Sequence, residues 1–248
     1  EAMGEVAYSR GKTDEAVAAL QAARVQLEAV LAQQPDNLEL LKTLGANAFW
    51  LGQIQYDASN WQAVQPEFER YYQYSERMYE LAPDNLDAIM ELSYATNSLG
   101  SLAMKRQQFD IARKNFEESL RLKLMAQAKE PENRRFLADI ANTRSWLASA
   151  AEAGGDVLSA ISAHKQLQTD LAGADIAQEP YLLHRLASSY QFLADLFGLQ
   201  HKIAEAKSTA VLGFSALSKA LAQDPDNAAW HRRKHYHYYQ EFKFSSEI

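Results

Sequence analysis

Three histidines, His231, His235 and His237, stand in a basic aromatic stretch, Trp230-His231-Arg232-Arg233-Lys234-His235-Tyr236-His237-Tyr238-Tyr239. His231 and His235 are four residues apart, so a helix sets them on one face, as a metal site requires. A third ligand is not evident, although Glu241 follows one turn beyond Tyr238. The plainer reading of the stretch is a solvated or capping helix face, and Arg232, Arg233 and Lys234 would also suit an acidic partner. Gly11-Lys12-Thr13 has the ending of a phosphate-binding loop. Val6 stands where that loop needs glycine, and no strand precedes it. It reads as a turn between helices. There is no cysteine nucleophile, no nucleophile elbow and no zinc-ligand pair around a glutamate. Carboxylates are scattered near Lys or Arg, as on solvated faces. These residues imply neither catalysis nor a cofactor.

The background composition narrows the class further. The 248 residues are 47% apolar, with only 10 Gly and 6 Pro. Ala, Leu, Gln, Glu and Lys dominate, and all favour helix. No β-branched run alternates with polar residues over a useful length. The chain therefore reads as all-α. A net charge of −7 disfavours nucleic acid, which needs a positive field. The absence of cysteine excludes disulfides and cysteine-ligated zinc. No stretch approaches a membrane span, and the N-terminus has no apolar signal region. The expected compartment is the cytoplasm, with a periplasmic soluble domain of a larger protein as the alternative.

The elements that would position any site follow from an internal repeat. Pro35-Asp36-Asn37, Pro83-Asp84-Asn85 and Pro131-Glu132-Asn133 are each 48 residues apart, and Pro225-Asp226-Asn227 follows after 94 more. Pro180 lies in a looser junction between the last two. A small-residue column, Gly4, Gly52, Gly100, Ala148 and Ala194, keeps the period, preceded by Met3, Leu51, Leu99, Leu147 and Leu193. Twelve residues after the small column come Ala16, Val64, Ala112, Ala160 and Ala206. Four later come Leu20, Phe68, Phe116, His164 and Ala210. The last step is 46, so two residues are lost around 178–183.

Each unit reads as two helices. Proline ends one helix, and Asp or Asn caps the next. In the third unit the first helix is expected over about 86–106 and the second over about 110–129. Leu92, Leu99, Leu102 and Ala103 would line the buried face of the first; Ile111, Phe116, Leu120 and Leu124 would line that of the second. The short turn forces antiparallel packing. Gly52 and Gly100 are expected at close helix crossings opposite the alanine column. Glycine inside a helix costs about 1 kcal/mol relative to alanine, and close approach is a reason to tolerate that cost. Trp50, Trp146 and Phe192 read as packing anchors. Phe68, Tyr71, Tyr72, Met78 and Tyr79 fit a buried stripe, with Tyr74 off it, and Pro66 is expected in the first turn of its helix. Gly154-Gly155-Asp156 occupies a turn whose glycine allows a left-handed cap.

These columns resemble the tetratricopeptide repeat (TPR). Leu99-Gly100, Ala112 and Phe116 match the family in type and spacing, while Pro131 arrives seven residues late. The usual 34-residue unit plus two insertions of seven gives 48, and seven residues are about two helical turns. The resemblance covers nearly the whole chain. It implies a right-handed α-solenoid of antiparallel helix pairs forming a single array over 1–248. The units are 1–37 (partial), 38–85, 86–133, 134–181 and 182–227, with a capping helix at 228–244. The chain would then begin partway through a repeat, as a fragment or a degenerate start. The junctions look like those of long TPR arrays in bacterial multidomain signalling proteins, beside protease-like, kinase or DNA-binding modules.

In that family the first helix of each unit lines the concave face. By column, the partner-binding positions here would be Phe49, Gln53 and Tyr56; Tyr94, Asn97 and Ser101; Asn142, Ser145 and Ser149; and Ser188, Gln191 and Asp195. Amides and hydroxyls there suit an extended peptide backbone, and the alternative is an ordinary wet surface. The columns that hold cations in carboxylate-clamping TPRs carry almost none here; Lys105 and Arg106 sit at a helix end instead. The expected function is a protein–protein interaction module, with a protein or peptide partner, within a larger bacterial signalling or regulatory protein. The alternatives are a structural spacer or homo-oligomerising surface, and, more remotely, a metal protein using the C-terminal histidines.

Overall fold

The structure is a computed structural model that describes residue 8, residues 10–234 and residue 236. Two compact units divide at the third proline junction, Glu1–Pro131 and Glu132–Ile248. The first unit holds α1 (Thr13–Leu31), α2 (Leu38–Asp57), α3 (Trp61–Leu81), α4 (Leu86–Lys105) and α5 (Phe109–Lys129). The second holds α6 (Arg134–Ala153), α7 (Val157–Ala172), α8 (Pro180–Leu199) and α9 (Ile203–Gln223). Residues 228–234 begin a further helix; the rest of the expected cap at 228–244 lies outside the described residues, apart from Tyr236. No strand occurs among the described residues.

The asparagine of each proline junction sets where a first-type helix starts. Asn37, Asn85 and Asn133 accept hydrogen bonds from the backbone N–H groups of Leu40 (3.2 Å), Ala88 (3.0 Å) and Arg135 (3.2 Å). Asn227 does the same for Trp230 at 3.1 Å. Each side chain satisfies an amide that the helix end leaves without a partner. At the looser junction Pro180 itself opens α8, where its fixed φ and missing N–H cost nothing. α7 runs only 16 residues, against 21 for α3, α5 and α9. The missing final turn is replaced by a non-helical connection to Pro180, and the two lost residues belong to this region.

The turns inside the units share a backbone feature. Gly11, Ser59, Gln107, Gly155 and His201 all have φ between 57° and 80°, and they fall in one column of the repeat. Nothing lies within 4 Å of a side chain added at Gly11 or Gly155, so the constraint there is the backbone. A left-handed residue with a side chain costs about 1–2 kcal/mol, while glycine loses more entropy on folding. Gln107→Gly is therefore expected to stabilise the chain by about 0.5–1 kcal/mol in urea unfolding.

Between helices, the close crossings occur as expected but against different neighbours. A Cβ at Gly52 would lie 2.6 Å from Cδ1 and Cε1 of Phe68, and one at Gly100 would lie 2.6 Å from Cε1 of Phe116. The glycines thus seat the aromatic column, which is buried, rather than the alanines. The column logic continues down the chain: Ala148 pairs in register with His164, and Ala194 with Ala210, so the facing side chain shrinks once the small residue gains a methyl.

Other expectations are corrected. Ile111 and Leu124 are 50% and 40% exposed. The buried face of α5 instead carries Ala112, Phe116, Ser119, Leu120, Leu122, Lys123 and Ala126. Ser119 donates to the Ser93 carbonyl at 2.8 Å, and the Lys123 ammonium lies 5.5 Å from the Tyr94 ring centre. Tyr74 is half-buried against the cluster of Leu41, Met78 and Ala88. Pro66 is the sixth residue of α3, in its second turn, where it forfeits one i→i−4 bond. An ion pair between Arg24 and Glu67 ties α1 to α3, with Arg24 also donating to Asn47 at 3.1 Å. In the second unit an ion pair between Arg144 and Asp170 ties α6 to α7.

Candidate ligand-binding site

The first-type helices carry the expected partner-facing columns, and the two units treat them differently. In the first unit, Phe49 is drawn into the aromatic core, stacked 6.3 Å from Phe68 and edge-on to Tyr71 at 5.8 Å. Tyr56 packs edge-on to Trp61 at 5.2 Å, with the Lys105 ammonium over its ring at 5.7 Å. Gln53 donates to Asp57 at 2.8 Å. Arg106 donates to the Trp61 carbonyl at 2.7 Å and to Gln65. The cations at this helix end are thus engaged within the unit. Asn97 is half-buried and its Oδ1 has no hydrogen-bond partner. Ser101 donates to the Asn97 carbonyl at 3.1 Å.

In the second unit the same columns open onto a cavity of about 220 Å³. Asn142, Ser145, Trp146 and Ser149 come from α6; His164 comes from α7; His184, Arg185, Ser188, Ser189 and Phe192 come from α8; Arg233 comes from the helix that begins at 228. The structure therefore gathers Asn142, Ser145, Ser149 and Ser188 at one site and leaves Gln191 and Asp195 off its lining. Trp146 and Phe192, expected as packing anchors, are walls of this cavity. Three of the four serine hydroxyls do not offer their protons to it. Ser145 donates to the Ala141 carbonyl at 2.9 Å and Ser188 to the His184 carbonyl at 2.9 Å, each one turn back, while Ser189 donates to the His164 carbonyl at 3.2 Å. Oxygens held in this way retain lone pairs, so the serines act as acceptors.

His164 is the unusual wall residue. It stands in the column that holds Phe68 and Phe116, it is 3% exposed, and its ring stacks 5.8 Å from Phe192 at an interplanar angle of 13°. Its Nδ1 has no hydrogen-bond partner. Burial pulls its pKa from 6.5 down to about 4, so the ring is neutral near pH 7.

The charged residues are both arginines. Arg185 donates to the Tyr181 hydroxyl at 2.9 Å and lies 5.0 Å from that ring's centre. Arg233 donates to Ser188. Burial, and then the neighbouring charge of Arg185, lower the pKa of Arg233 from its usual range. No carboxylate is among the residues lining the cavity. His184 stacks on Trp230 at 5.2 Å and buttresses the same end.

The two arginines escaped the column reading, although the sequence carried a signal. Thr43, Glu91, Asp139, Arg185 and Arg233 fall in one column at steps of 48, 48, 46 and 48. The charge in this column changes from acidic to basic at the fifth repeat, 182–227. Columns chosen for apolar or small residues do not reveal such a reversal.

Of the C-terminal histidines, His231 lies 2.7 Å through Nε2 from the Pro225 carbonyl; His235 and His237 lie outside the described residues. Among the described residues, no three His, Asp or Glu side chains gather as metal ligands, and no helix is long and apolar enough to cross a membrane.

No family model matches the chain, and no curated protein matches it in sequence. Among solved structures, the chain is similar to BtubC (BKLC) from P. vanneervenii, with a TM-score of 0.59 at 12% identity over 93% of this chain and 90% of that one. It is also similar to a variant of a candidate kinesin light chain from Podosopora anserina with nearly identical TPR-like repeats. There the TM-score is 0.57 at 17% identity, over 89% of this chain and 93% of that one. Such likeness speaks for the fold and not for the partner. The fold is an all-α, TPR-like helical repeat.

Proposed function

We propose that the chain is a protein-interaction repeat module that holds an extended peptide segment along its first-type helices and catalyses nothing. The observation that supports this most is Asn97, a half-buried amide in one of those columns whose Oδ1 is buried without a hydrogen-bond partner. Leaving such a group unsatisfied costs about 1–3 kcal/mol, which stability alone gives no reason to retain. Around it, Ser101 presents lone pairs while its proton is held by its own helix; in the second unit Ser145 does the same. Gln53, Asn142, Ser149 and Gln191 extend the polar character along the same columns. Within each unit the first-type helices are thus rich in acceptors for backbone N–H groups. We read the module as part of a larger bacterial signalling or regulatory protein in the cytoplasm, a reading supported by the likeness of its proline junctions to long arrays of that kind. The sequence flanking this segment in its gene tests that origin.

A second reading, self-association, is favoured by apolar side chains exposed on second-type helices, among them Ile111, Leu124, Val211 and Leu212. Light scattering separates the two, because a peptide-binding module stays monomeric at concentrations where a self-associating array grows. The peptide reading is tested by selecting random 12-residue peptides on the intact chain and measuring their affinity for Asn97→Arg, which is expected to be at least about tenfold weaker, or about 1.4 kcal/mol.

A further inference from the structure

We propose that the cavity of the second unit is a binding site for a small organic anion with a flat apolar body, its charge held by Arg185 and Arg233 and its body against Trp146 and Phe192. This goes beyond peptide binding and does not depend on it.

The charge argument comes first. The chain carries seven net negative charges, yet two guanidinium groups line one cavity with no carboxylate among the lining residues. They stand close enough for Arg185 to disfavour the charge on Arg233. Their protein contacts are a tyrosine hydroxyl and a serine hydroxyl, and neither contact neutralises a charge. Guanidinium groups cannot shed their protons, so an anion is the species that relieves their repulsion. Arginine is also suited to carboxylate or phosphate oxygens, since its N–H fork matches both.

The walls then restrict the ligand. About 220 Å³ is below the roughly 300–1,000 Å³ of pockets for drug-sized ligands. It fits one ring and one anionic group. Trp146, Phe192 and the face of a neutral imidazole, His164, supply flat apolar surface. The hydroxyls of Ser145, Ser188 and Ser189 give their protons to helix carbonyls, so these three do not solvate an anion. The charge of the ligand is therefore directed to the arginine end.

Titration of the whole chain with phenylacetate and with phenyl phosphate, followed by tryptophan fluorescence and calorimetry, tests the proposal. The two probes separate a carboxylate source from a phosphate source. At least one is expected to saturate with a Kd below about 1 mM. Uncharged 2-phenylethanol and ringless acetate are expected to bind at least tenfold more weakly. Arg185→Gln and Arg233→Gln should each weaken the aryl anion at least tenfold. Arg233→Lys, which keeps the charge and loses the fork, should weaken it less, and it carries the test if Arg233→Gln fails to fold. Absence of saturation by both anions, equal binding of 2-phenylethanol, or unchanged affinity in both arginine variants would overturn the proposal. Asn97→Arg lies in the other unit and should leave anion binding intact, so failure of the peptide reading and failure of this one are separately visible.

Discussion

Lowering the pH from 7.5 to 4.5 is expected to cost the folded chain about 2–3 kcal/mol through His164 alone. The sign follows from burial. The unfolded imidazole titrates near 6.5 and the folded one near 4, because desolvation opposes the charged form. Above pH 6.5 both states are neutral and His164 contributes no pH dependence. Between 6.5 and 4 the unfolded chain takes up a proton that the folded chain refuses, so stability falls as the pH falls. Below about 4 both states are protonated and the loss levels off. Urea unfolding of the wild type and His164→Leu at both pH values checks this. The wild type should lose about 2–3 kcal/mol more than the variant on acidification, whatever the carboxylates contribute to both. Parallel losses would mean that the folded ring accepts the proton.

Gly100→Ala is expected to destabilise the chain by about 2 kcal/mol, although alanine is the better helix former by about 1 kcal/mol. The new methyl would meet Phe116 at 2.6, 2.8 and 3.0 Å. That ring is 0% exposed and must shift to admit the methyl, so overpacking outweighs propensity. The repeat suggests the compensation, because the columns of Gly100 and Phe116 hold Ala148 with His164 and Ala194 with Ala210 further on, and Ala194 and Ala210 share one buried cluster. Phe116→Leu alone should cost about 1–2 kcal/mol as a cavity. Combined with Gly100→Ala it should cost less than the sum, with a coupling of at least about 1 kcal/mol. Thermal and urea unfolding of the four chains measure it, and additive losses would show that the two columns do not share a contact.

The sequence made the frame of this protein readable where a residue type has one physical use. Pro-Asp-Asn had to be a junction, and all four junction asparagines cap a helix. Gly52 and Gly100 had to mark close approach, and they do. The partner of that approach was misassigned because small residues fit against either column, and only the helix rotation decides. The same rotation put Ile111 and Leu124 outside. A buried face that includes Ser119 and Lys123 does not follow an apolar pattern, and these side chains are tolerated there because each finds a partner in α4. The candidate site was half visible. Asn142, Ser145, Ser149 and Ser188 were found through the family's columns; Arg185, Arg233 and His164 depend on contacts between helices far apart in sequence. A substitution of histidine for phenylalanine in a core column was visible, but its consequence, a cavity with a neutral imidazole wall, needed the neighbouring helix in place.

The central claim is that the first-type helices form the partner-binding face. Its most direct measurement is the affinity of peptides selected on the intact chain for the wild type and for Asn97→Arg, with folding of both verified by circular dichroism. A loss of at least about tenfold in a folded variant is the predicted result. Selected peptides that bind Asn97→Arg as tightly as the wild type would contradict the claim.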